Sequence, residues 1–226
     1  MPKALIDGDV FVYRAAFATN DETAAHAITA FNSLVATAIL ESGCMDYQLY
    51  LTGKGNFRFD YAKTAEYKGN RKNSVPPIHK DVIREYAMEN WEAIMTEDEE
   101  ADDIIAIAAT DLGPAESVII SIDKDFIQVP GSMYNPVKKS WSLIDAWSGL
   151  MFFYQQIIMG DSADNIIGIR GIGPAKSAAI LDGAKDELEL YNRCIKQYNG
   201  DEARVIENAR LLWLRREKGQ IWQPPT

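Results

Sequence analysis

The stretch ALIDGDVFVYRAAF, residues 4–17, opens with a short apolar run that ends at two carboxylates, Asp7 and Asp9. A pair of this kind has three readings. It can be a phosphotransfer nucleophile with its acid partner, a ligand pair for a cation, or the polar end of a strand. The choice among them depends on acidic residues much further along the chain.

Short apolar runs recur through the first two thirds of the chain and alternate with helix-like stretches. The runs that read as buried strands are ALI before Asp7 and residues 47–51, 117–122 and 132–135. The helix-like stretches between them are 23–42, 76–91 and 102–112. This alternation predicts an α/β fold with a mostly parallel sheet covered on both faces. We expect a single domain, with an α/β core over about 1–150 and a helical part over about 151–226.

Composition excludes several classes of protein. The chain has 226 residues, 47% of them hydrophobic, which suffices for one sizeable core. Two cysteines and two histidines make a disulfide framework, a structural zinc site or a His-rich metal site unexpected. The apolar runs are shorter than the roughly 20 residues of a membrane span, and the N-terminus does not resemble a signal peptide. We therefore expect a cytoplasmic protein with no membrane partner.

The net charge of −10 does not exclude a polyanionic partner. Basic residues concentrate in residues 54–72, whereas residues 97–103, EDEEADD, are acidic at all positions but one. Acids in that run suit the N-terminus of a helix, where the macrodipole favours them. However, Glu100 and Asp103 would share a face with the apolar stripe that follows, which is a costly place for a carboxylate without a cation.

Two further pairs of acids follow apolar elements. Asp123 and Asp125 come after the strand SVIISI and would point the same way if the strand continued, the alternative being a polar turn. Asp161 and Asp164 follow the apolar stretch FFYQQIIMG, where a helix stop with an Asx turn would explain one aspartate but not both. Because ligands gather beyond the carboxyl ends of parallel strands, Asp7 and Asp123 can converge.

Taken together, the acids predict a divalent-cation site. Four apolar elements each begin or end in carboxylates, which would repel one another in a shared cleft without cations. Oxygen ligands without His or Cys favour Mg²⁺ or Mn²⁺ over zinc. Two such ions, about 3.5–4 Å apart, are typical of displacement at phosphorus.

Two segments have the composition of a nucleic-acid contact. In NIIGIRGIGPAKSAAIL, residues 165–181, glycines precede Pro174, and Lys176 and Ser177 fall in the first turn of the following helix. This is the form of a helix-hairpin-helix that grips a nucleic-acid backbone, the alternative being an ordinary turn. In AEYKGNRK, residues 65–72, Lys68 and Arg71 could hold a phosphate beside the ring of Tyr67, the alternative being a solvated loop.

The ordered motifs LIDGD, EYKGNR, EADDIIA, ISIDKDF, MGDSADN and GIRGIGPAK resemble those of the 5′-nuclease family. That family comprises flap endonucleases, the 5′-nuclease domain of DNA polymerase I and stand-alone phage 5′-3′ exonucleases, which the chain resembles most in size. The resemblance implies a PIN/5′-nuclease-like fold with a short helical arch and a helix-hairpin-helix at 165–181. It also implies monomeric action on DNA with a 5′ end, nick or flap, with RNA in a hybrid left open.

The resemblance also assigns roles to residues. It implies a first metal site of Asp7, Glu100, Asp102 and Asp103, and a second of Asp123, Asp125, Asp161 and Asp164. It places Lys68 and Arg71 at the scissile phosphate and Tyr67 where an aromatic stacks on the unpaired nucleotide. The remaining expected DNA contacts are Lys72, Gly168, Gly171, Gly173, Lys176 and Ser177, in a hairpin that often also holds K⁺.

The second strand departs from the family pattern, because Thr52 stands where an aspartate is common and would leave the first metal site one carboxylate poorer. Two other functions stay open. A haloacid-dehalogenase-like phosphatase would use Asp7 as its nucleophile and Asp9 as its acid, although Phe11 departs from that motif. A DNA-binding module of the same fold would lack catalysis. Under the nuclease reading we expect Asp9 to be a local cap.

Overall fold

The computed structural model describes residues 1–226, which divide into two compact units. The first unit contains Met1–Asn56, Val75–Ile144 and Arg216–Lys218. The second contains Phe57–Ser74, Asp145–Arg215 and Gly219–Thr226. The assignment of the whole chain to a single domain remains a prediction.

The first unit is built on a six-stranded sheet of order β3-β2-β1-β4-β5-β6. The first five strands pair in parallel and β6 pairs antiparallel with β5. The strands are β1 Lys3–Asp7, β2 Asp46–Lys54, β3 Ile94–Glu97, β4 Ser117–Ile120, β5 Gly131–Asn135 and β6 Ser140–Ile144. Its helices are α1 Gly8–Ala18, α2 Ala24–Ser42, α4 Lys80–Asn90 and α5 Ala101–Leu112, and a 3₁₀ turn covers Lys124–Gln128.

The core of this unit explains the continuous apolar runs. Ala4, Leu5 and Ile6 of β1 are all buried, as expected of a parallel strand covered on both faces. Helix α2 buries Ala27, Phe31, Val35 and Ala38, which recur at helical spacing along one face. The predicted α/β fold with a mostly parallel sheet flanked by helices is confirmed.

The second unit is mainly helical. It contains α3 Arg58–Tyr61, α6 Ala146–Met159, α7 Pro174–Leu181, α8 Glu187–Gln197 and α9 Glu202–Leu212. A 3₁₀ turn covers Gly69–Arg71, and Gly160–Asp161 pairs antiparallel with Ile166–Ile167 as the two-stranded hairpin β7–β8. Its core gathers Phe153, Ile157 and Leu190 with Trp222 from the C-terminal segment.

Several elements differ from the predicted ones. Strands β3 and β6 were not predicted, because they lie at the sheet edges and carry exposed residues such as Ile94 and Leu143 instead of a buried run. Helix α1 was also missed, although it follows β1 without a loop. The short arch and the helix-hairpin-helix remain predictions.

Helix α2 is an exception to the expectation about membrane spans. Over 18 residues its mean hydropathy is 1.2, so by length and composition alone it is long and apolar enough to cross a membrane. The core helix of a globular unit passes the same test, and α2 packs Phe31 and Val35 into the core of the first unit. The hydropathy of this helix is therefore only weak evidence for a membrane span.

Candidate active site

Asp7 lies at the carboxyl end of β1 and is buried. Its carboxylate accepts hydrogen bonds from Ser121 Oγ at 2.7 Å and from Val10 N at 3.4 Å, so Asp7 is also the N-cap of α1. Burial, together with the negative charges of Asp9 and Asp123, raises the pKa of Asp7 to about 7, although the hydrogen bonds from Ser121 and Val10 act in the opposite direction. These charges place three acids within electrostatic reach at this end of the sheet.

Asp123 is tied to the same end of the sheet. Its backbone N–H donates to Ser121 Oγ at 3.0 Å, so this serine links Asp7 to Asp123. Asp123 Oδ1 accepts from Asp125 N at 2.9 Å and begins the 3₁₀ turn, and Lys124 Nζ lies 3.6 Å from Asp125. The strand does not continue through Asp125, so the condition under which both side chains would point the same way is not met, and the alternative, a polar turn, is observed.

The acids of residues 100–103 lie at the start of α5, as predicted. Glu100 occupies the N-cap position and Asp102 and Asp103 lie in the first turn, with Glu100 and Asp103 buried. The Ala101 N–H donates to Thr52 Oγ1 at 3.1 Å, so the end of β2 caps this helix. Thr52, predicted as a weakness of the first metal site, therefore has a structural role of its own.

A basic residue close to Asp103, Arg216, is not indicated by the sequence around these acids. Arg216 belongs to the first unit and donates from Nη2 to Gln128 O at 2.7 Å. Burial lowers the pKa of Arg216 to about 10, while the charge of Asp103 opposes that shift. No local pattern near residue 103 indicates a partner more than a hundred residues away.

The prediction that Asp9 is a local cap is wrong. Asp7 caps α1, whereas Asp9 Oδ2 accepts from Thr52 N at 2.8 Å and Asp9 Oδ1 accepts from Arg84 Nη1. Arg84 Nη2 also donates to Thr52 O at 2.5 Å. Both carboxylate oxygens of Asp9 are thus bound by the protein.

In the second unit, Asp161 is the last residue of β7, and Asp164 lies in the turn between β7 and β8. Asp161 is buried and accepts from Ala163 N at 2.7 Å, which is an Asx turn. Asp164 accepts from Arg71 Nη2 at 2.5 Å and from Tyr67 Oη at 3.0 Å, and Lys68 Nζ lies 3.9 Å away. The structure therefore brings the predicted phosphate contacts Lys68 and Arg71 together around an aspartate.

Two predicted DNA contacts do not fit their surroundings. Tyr67 is only 2% exposed and packs against Phe59, so its ring offers no face on which a base could stack. Ser177 is fully buried and its hydroxyl donates to Pro174 O at 3.0 Å, so it cannot reach a phosphate. Both predictions are wrong because burial within the second unit removes these two side chains from solvent. Lys72 is exposed and pairs with Glu66 at 2.7 Å.

The three glycines of the predicted hairpin serve different purposes. A Cβ on Gly168 would lie 2.0 Å from the Met159 carbonyl, so this glycine permits close backbone packing. Gly171 has φ +81° and Gly173 is the N-cap of α7, and both face open space. Lys176 Nζ donates to Gly171 O at 2.9 Å across this loop.

The carboxylates do not form a ready ligand cage. No three His, Cys, Asp or Glu side chains lie together as a group that could hold a metal ion. The acids of the first unit nonetheless offer only oxygen atoms as ligands. The pKa of Asp7 is raised because its buried negative charge has no positive charge beside it to offset the burial. This donor chemistry fits a hard divalent cation.

Residues 2–148 match the family model described as the 5′-3′ exonuclease, N-terminal resolvase-like domain. DNA polymerase I of Rhizobium leguminosarum is 31% identical over 94% of this chain and 24% of its own length. Flap endonuclease Xni of Shewanella piezotolerans is 27% identical over 65% of this chain and 62% of its own. The chain thus spans between about a quarter and somewhat over three fifths of the length of these relatives.

Solved structures agree on the fold. The bacteriophage T5 flap endonuclease, in a complex with DNA and metal ions, has a TM-score of 0.74 and 20% identity. That match covers 94% of this chain and 89% of the T5 chain. The catalytic core of Rad2 in complex with DNA substrate has a TM-score of 0.51 and 17% identity, covering 80% and 60% of the two chains.

Proposed function

Because the chain belongs to the 5′-3′ exonuclease family, we propose that it is a divalent-metal-dependent 5′-nuclease that hydrolyses phosphodiesters near DNA 5′ ends. The observation that carries this proposal is the acidic end of the sheet, where Asp7, Ser121 and Asp123 are linked and the pKa of Asp7 is raised to about 7. A cation there would offset the cost of burying the carboxylate.

In this proposal the carboxylates hold two Mg²⁺ or Mn²⁺ ions. Asp7, Glu100, Asp102 and Asp103 would hold the first, and Asp123, Asp125, Asp161 and Asp164 the second. When bound, such ions supply an activated water and stabilise the charge that develops on the phosphoryl oxygens. The proposed catalytic set among these ligands is Asp7, Glu100, Asp102, Asp123 and Asp125, together with Lys68 and Arg71.

Lys68 and Arg71 would contact the scissile phosphate. Both cations already lie around the carboxylate of Asp164. A phosphodiester carries one negative charge, as a carboxylate does, and also offers two acceptor oxygens to the Arg71 guanidinium, so it could replace Asp164 as the partner. The two cations would then bind the substrate and stabilise its charge.

The loop before α7 would hold the DNA backbone. Gly171 and Gly173 leave the start of α7 open, and Lys176 lies beside them, so backbone N–H groups and one cation are available to a phosphate. Such contacts carry little sequence information. K⁺ at this loop, acceptance of RNA in a hybrid, monomeric action and a cytoplasmic location belong to the same proposal.

The experiment compares 5′-flapped, nicked and blunt DNA, each labelled at the 5′ end, with Mg²⁺ and with EDTA. We expect cleavage with Mg²⁺ only, and product sizes then separate exonuclease from flap-endonuclease action. Replacing the DNA strand by RNA in a hybrid tests the wider substrate. Equal loss of substrate with Mg²⁺ and EDTA, or no loss in either, would refute the proposal.

The double variant Asp123→Asn with Asp125→Asn tests the second site. Cleavage should collapse while DNA binding persists, because the substitutions leave the proposed DNA contacts in place. The matched control is Asp145→Asn, which removes a capping carboxylate that bonds Ser148 at the start of α6. Turnover near the wild-type level in the double variant would show that the second site is misplaced.

A non-catalytic DNA-binding module is the second candidate. It is favoured by the lack of a gathered ligand group and by Thr52 in place of a carboxylate. DNA binding without Mg²⁺-dependent turnover would establish it. The phosphatase alternative loses its general acid, because both oxygens of Asp9 are bound by Thr52 and Arg84.

A further inference from the structure

We propose that Arg84 is a positioning residue for the acidic end of the sheet, acting through Asp9 and Thr52. The proposal rests on the nuclease function and deepens it, because it names residues that set the affinity of the carboxylates for a divalent cation. Arg84 lies on α4, and its hydrogen bonds to Asp9 and to the Thr52 carbonyl involve none of the proposed ligands.

The network has a defined geometry. Arg84 Nη1 donates to Asp9 Oδ1 while its Nη2 donates to Thr52 O at 2.5 Å. Asp9 Oδ2 accepts from Thr52 N at 2.8 Å, which closes a ring of bonds among the three residues. The Thr52 hydroxyl then accepts from Ala101 N at 3.1 Å. One guanidinium thus ties together α1, the end of β2 and the start of α5.

The ring is shielded enough to act as a fixed support. The Arg84 side chain is 13% exposed and that of Asp9 is 21% exposed, so water screens the ion pair only in part. The planar guanidinium presents its two donors in a fixed fork, which an ammonium group cannot reproduce. The ring therefore fixes orientation as well as charge.

The ring reaches the acids through short covalent links. Asp9 is two residues from Asp7 at the start of α1, and Ala101 lies between Glu100 and Asp102 at the start of α5. Fixing Asp9 to Thr52, and Thr52 to Ala101, therefore sets the distance between the carboxylates of β1 and those of α5. Since these acids are not gathered beforehand, their placement should strongly affect cation affinity.

The charge of Arg84 and its positioning role predict opposite effects of its loss on cation affinity. As a positive charge near the acids, Arg84 would repel a divalent cation, so its loss would tighten cation binding. As a positioning residue, Arg84 supports the ligands, so its loss would weaken cation binding. The sign of the change therefore separates the two roles.

The test uses the full chain with Arg84→Met and the neutral pair Thr52→Val and Thr52→Ser. Mg²⁺ affinity is measured by calorimetry on the free protein, and cleavage is measured as a function of Mg²⁺ concentration. The matched control is Lys139→Met, which breaks the exposed ion pair with Glu41 in the same unit. Circular dichroism and thermal melting report whether each variant folds.

We expect Arg84→Met and Thr52→Val to weaken Mg²⁺ binding by about 10-fold, the lower end of the effect of removing outer-shell residues of a metal site. Thr52→Ser, which keeps the hydroxyl, should remain close to wild type, as should Lys139→Met. If Arg84→Met does not fold, the comparison of Thr52→Val with Thr52→Ser decides.

Unchanged or tighter Mg²⁺ binding in folded Arg84→Met, or equal affinities of Thr52→Val and Thr52→Ser, would overturn the proposal. Wild-type protein that binds no Mg²⁺ would overturn it as well. Wild-type protein that binds Mg²⁺ but does not cleave DNA refutes the nuclease function alone. In that case a weakened affinity in the variants still supports the positioning role.

Discussion

Asp7 in the first unit and Asp164 in the second are held in opposite ways. Asp7 is buried at the end of β1 and is bound by neutral donors, a serine hydroxyl and a backbone N–H, beside two further acids. Asp164 is bound by the cations of Arg71 and Lys68 and by the Tyr67 hydroxyl. The first carboxylate carries a buried charge that the proposed cation would offset, whereas the second already has protein cations as partners.

Asp7→Asn should produce the largest effect. We expect cleavage to fall more than about 100-fold, since even indirect partners of metal ligands are worth about 10–100-fold. The same substitution should stabilise the metal-free protein at pH 8, because it removes a carboxylate whose ionisation the fold disfavours. Melting with EDTA and cleavage assays with Mg²⁺ measure the two effects.

The pH dependence of that stabilisation follows from the pKa of Asp7. The pKa is about 7 in the folded chain and near 3.8 when unfolded, so wild type loses stability as pH rises between about 4 and about 7. The advantage of Asp7→Asn should be absent below pH 4, grow through this window and level off above it, at up to a few kcal/mol. A constant advantage at all pH values would contradict the proposed burial of charge.

Asp164→Asn should have the opposite effect on stability. It removes the charge that holds Arg71 and Lys68, so we expect the free energy of unfolding to fall by about 1–3 kcal/mol at neutral pH. Urea unfolding of Asp164→Asn beside Asp7→Asn checks the prediction directly. If both variants are stabilised, the contrast between the two carboxylates is wrong.

The same contrast marks what the sequence could predict. The acids at the ends of β1 and β4 and at the start of α5 were predicted, because each follows or precedes an apolar run within a few residues. The partners that set their properties were not. Arg84 lies 75 residues from Asp9, and no periodicity or motif connects them.

The solvent exposure of individual side chains was also not predictable from the sequence. Tyr67 lies in a basic stretch and Ser177 in the first turn of α7, yet the tyrosine enters the core of the second unit and the buried serine bonds the Pro174 carbonyl of its own helix. Strands β3 and β6 were not predicted for the converse reason, because exposed edge strands lack the run of buried residues by which strands are recognised in a sequence. Local patterns gave the elements, but tertiary contacts decided which side chains are available.

The smallest effects should separate two neighbours in α7. Lys176 is exposed beside Gly171, whereas Ser177 is buried and bonds Pro174. Lys176→Met should weaken duplex binding several-fold, because it removes one phosphate contact. For the same reason, the slope of log binding constant against log salt concentration should become shallower by about one. Ser177→Ala should leave DNA binding unchanged and cost about 1 kcal/mol of stability, which is typical of one lost hydrogen bond.

Fluorescence anisotropy with duplex DNA at several salt concentrations, without Mg²⁺ so that no cleavage occurs, measures both variants. Lys185→Met is the matched control, because it removes a cation in the same unit outside the glycine loop. If Ser177→Ala weakens DNA binding as much as Lys176→Met does, α7 contacts DNA through a face that is buried in the structure. If neither variant matters, the loop before α7 is a structural turn, and DNA binding in the second unit depends on Lys68 and Arg71 instead.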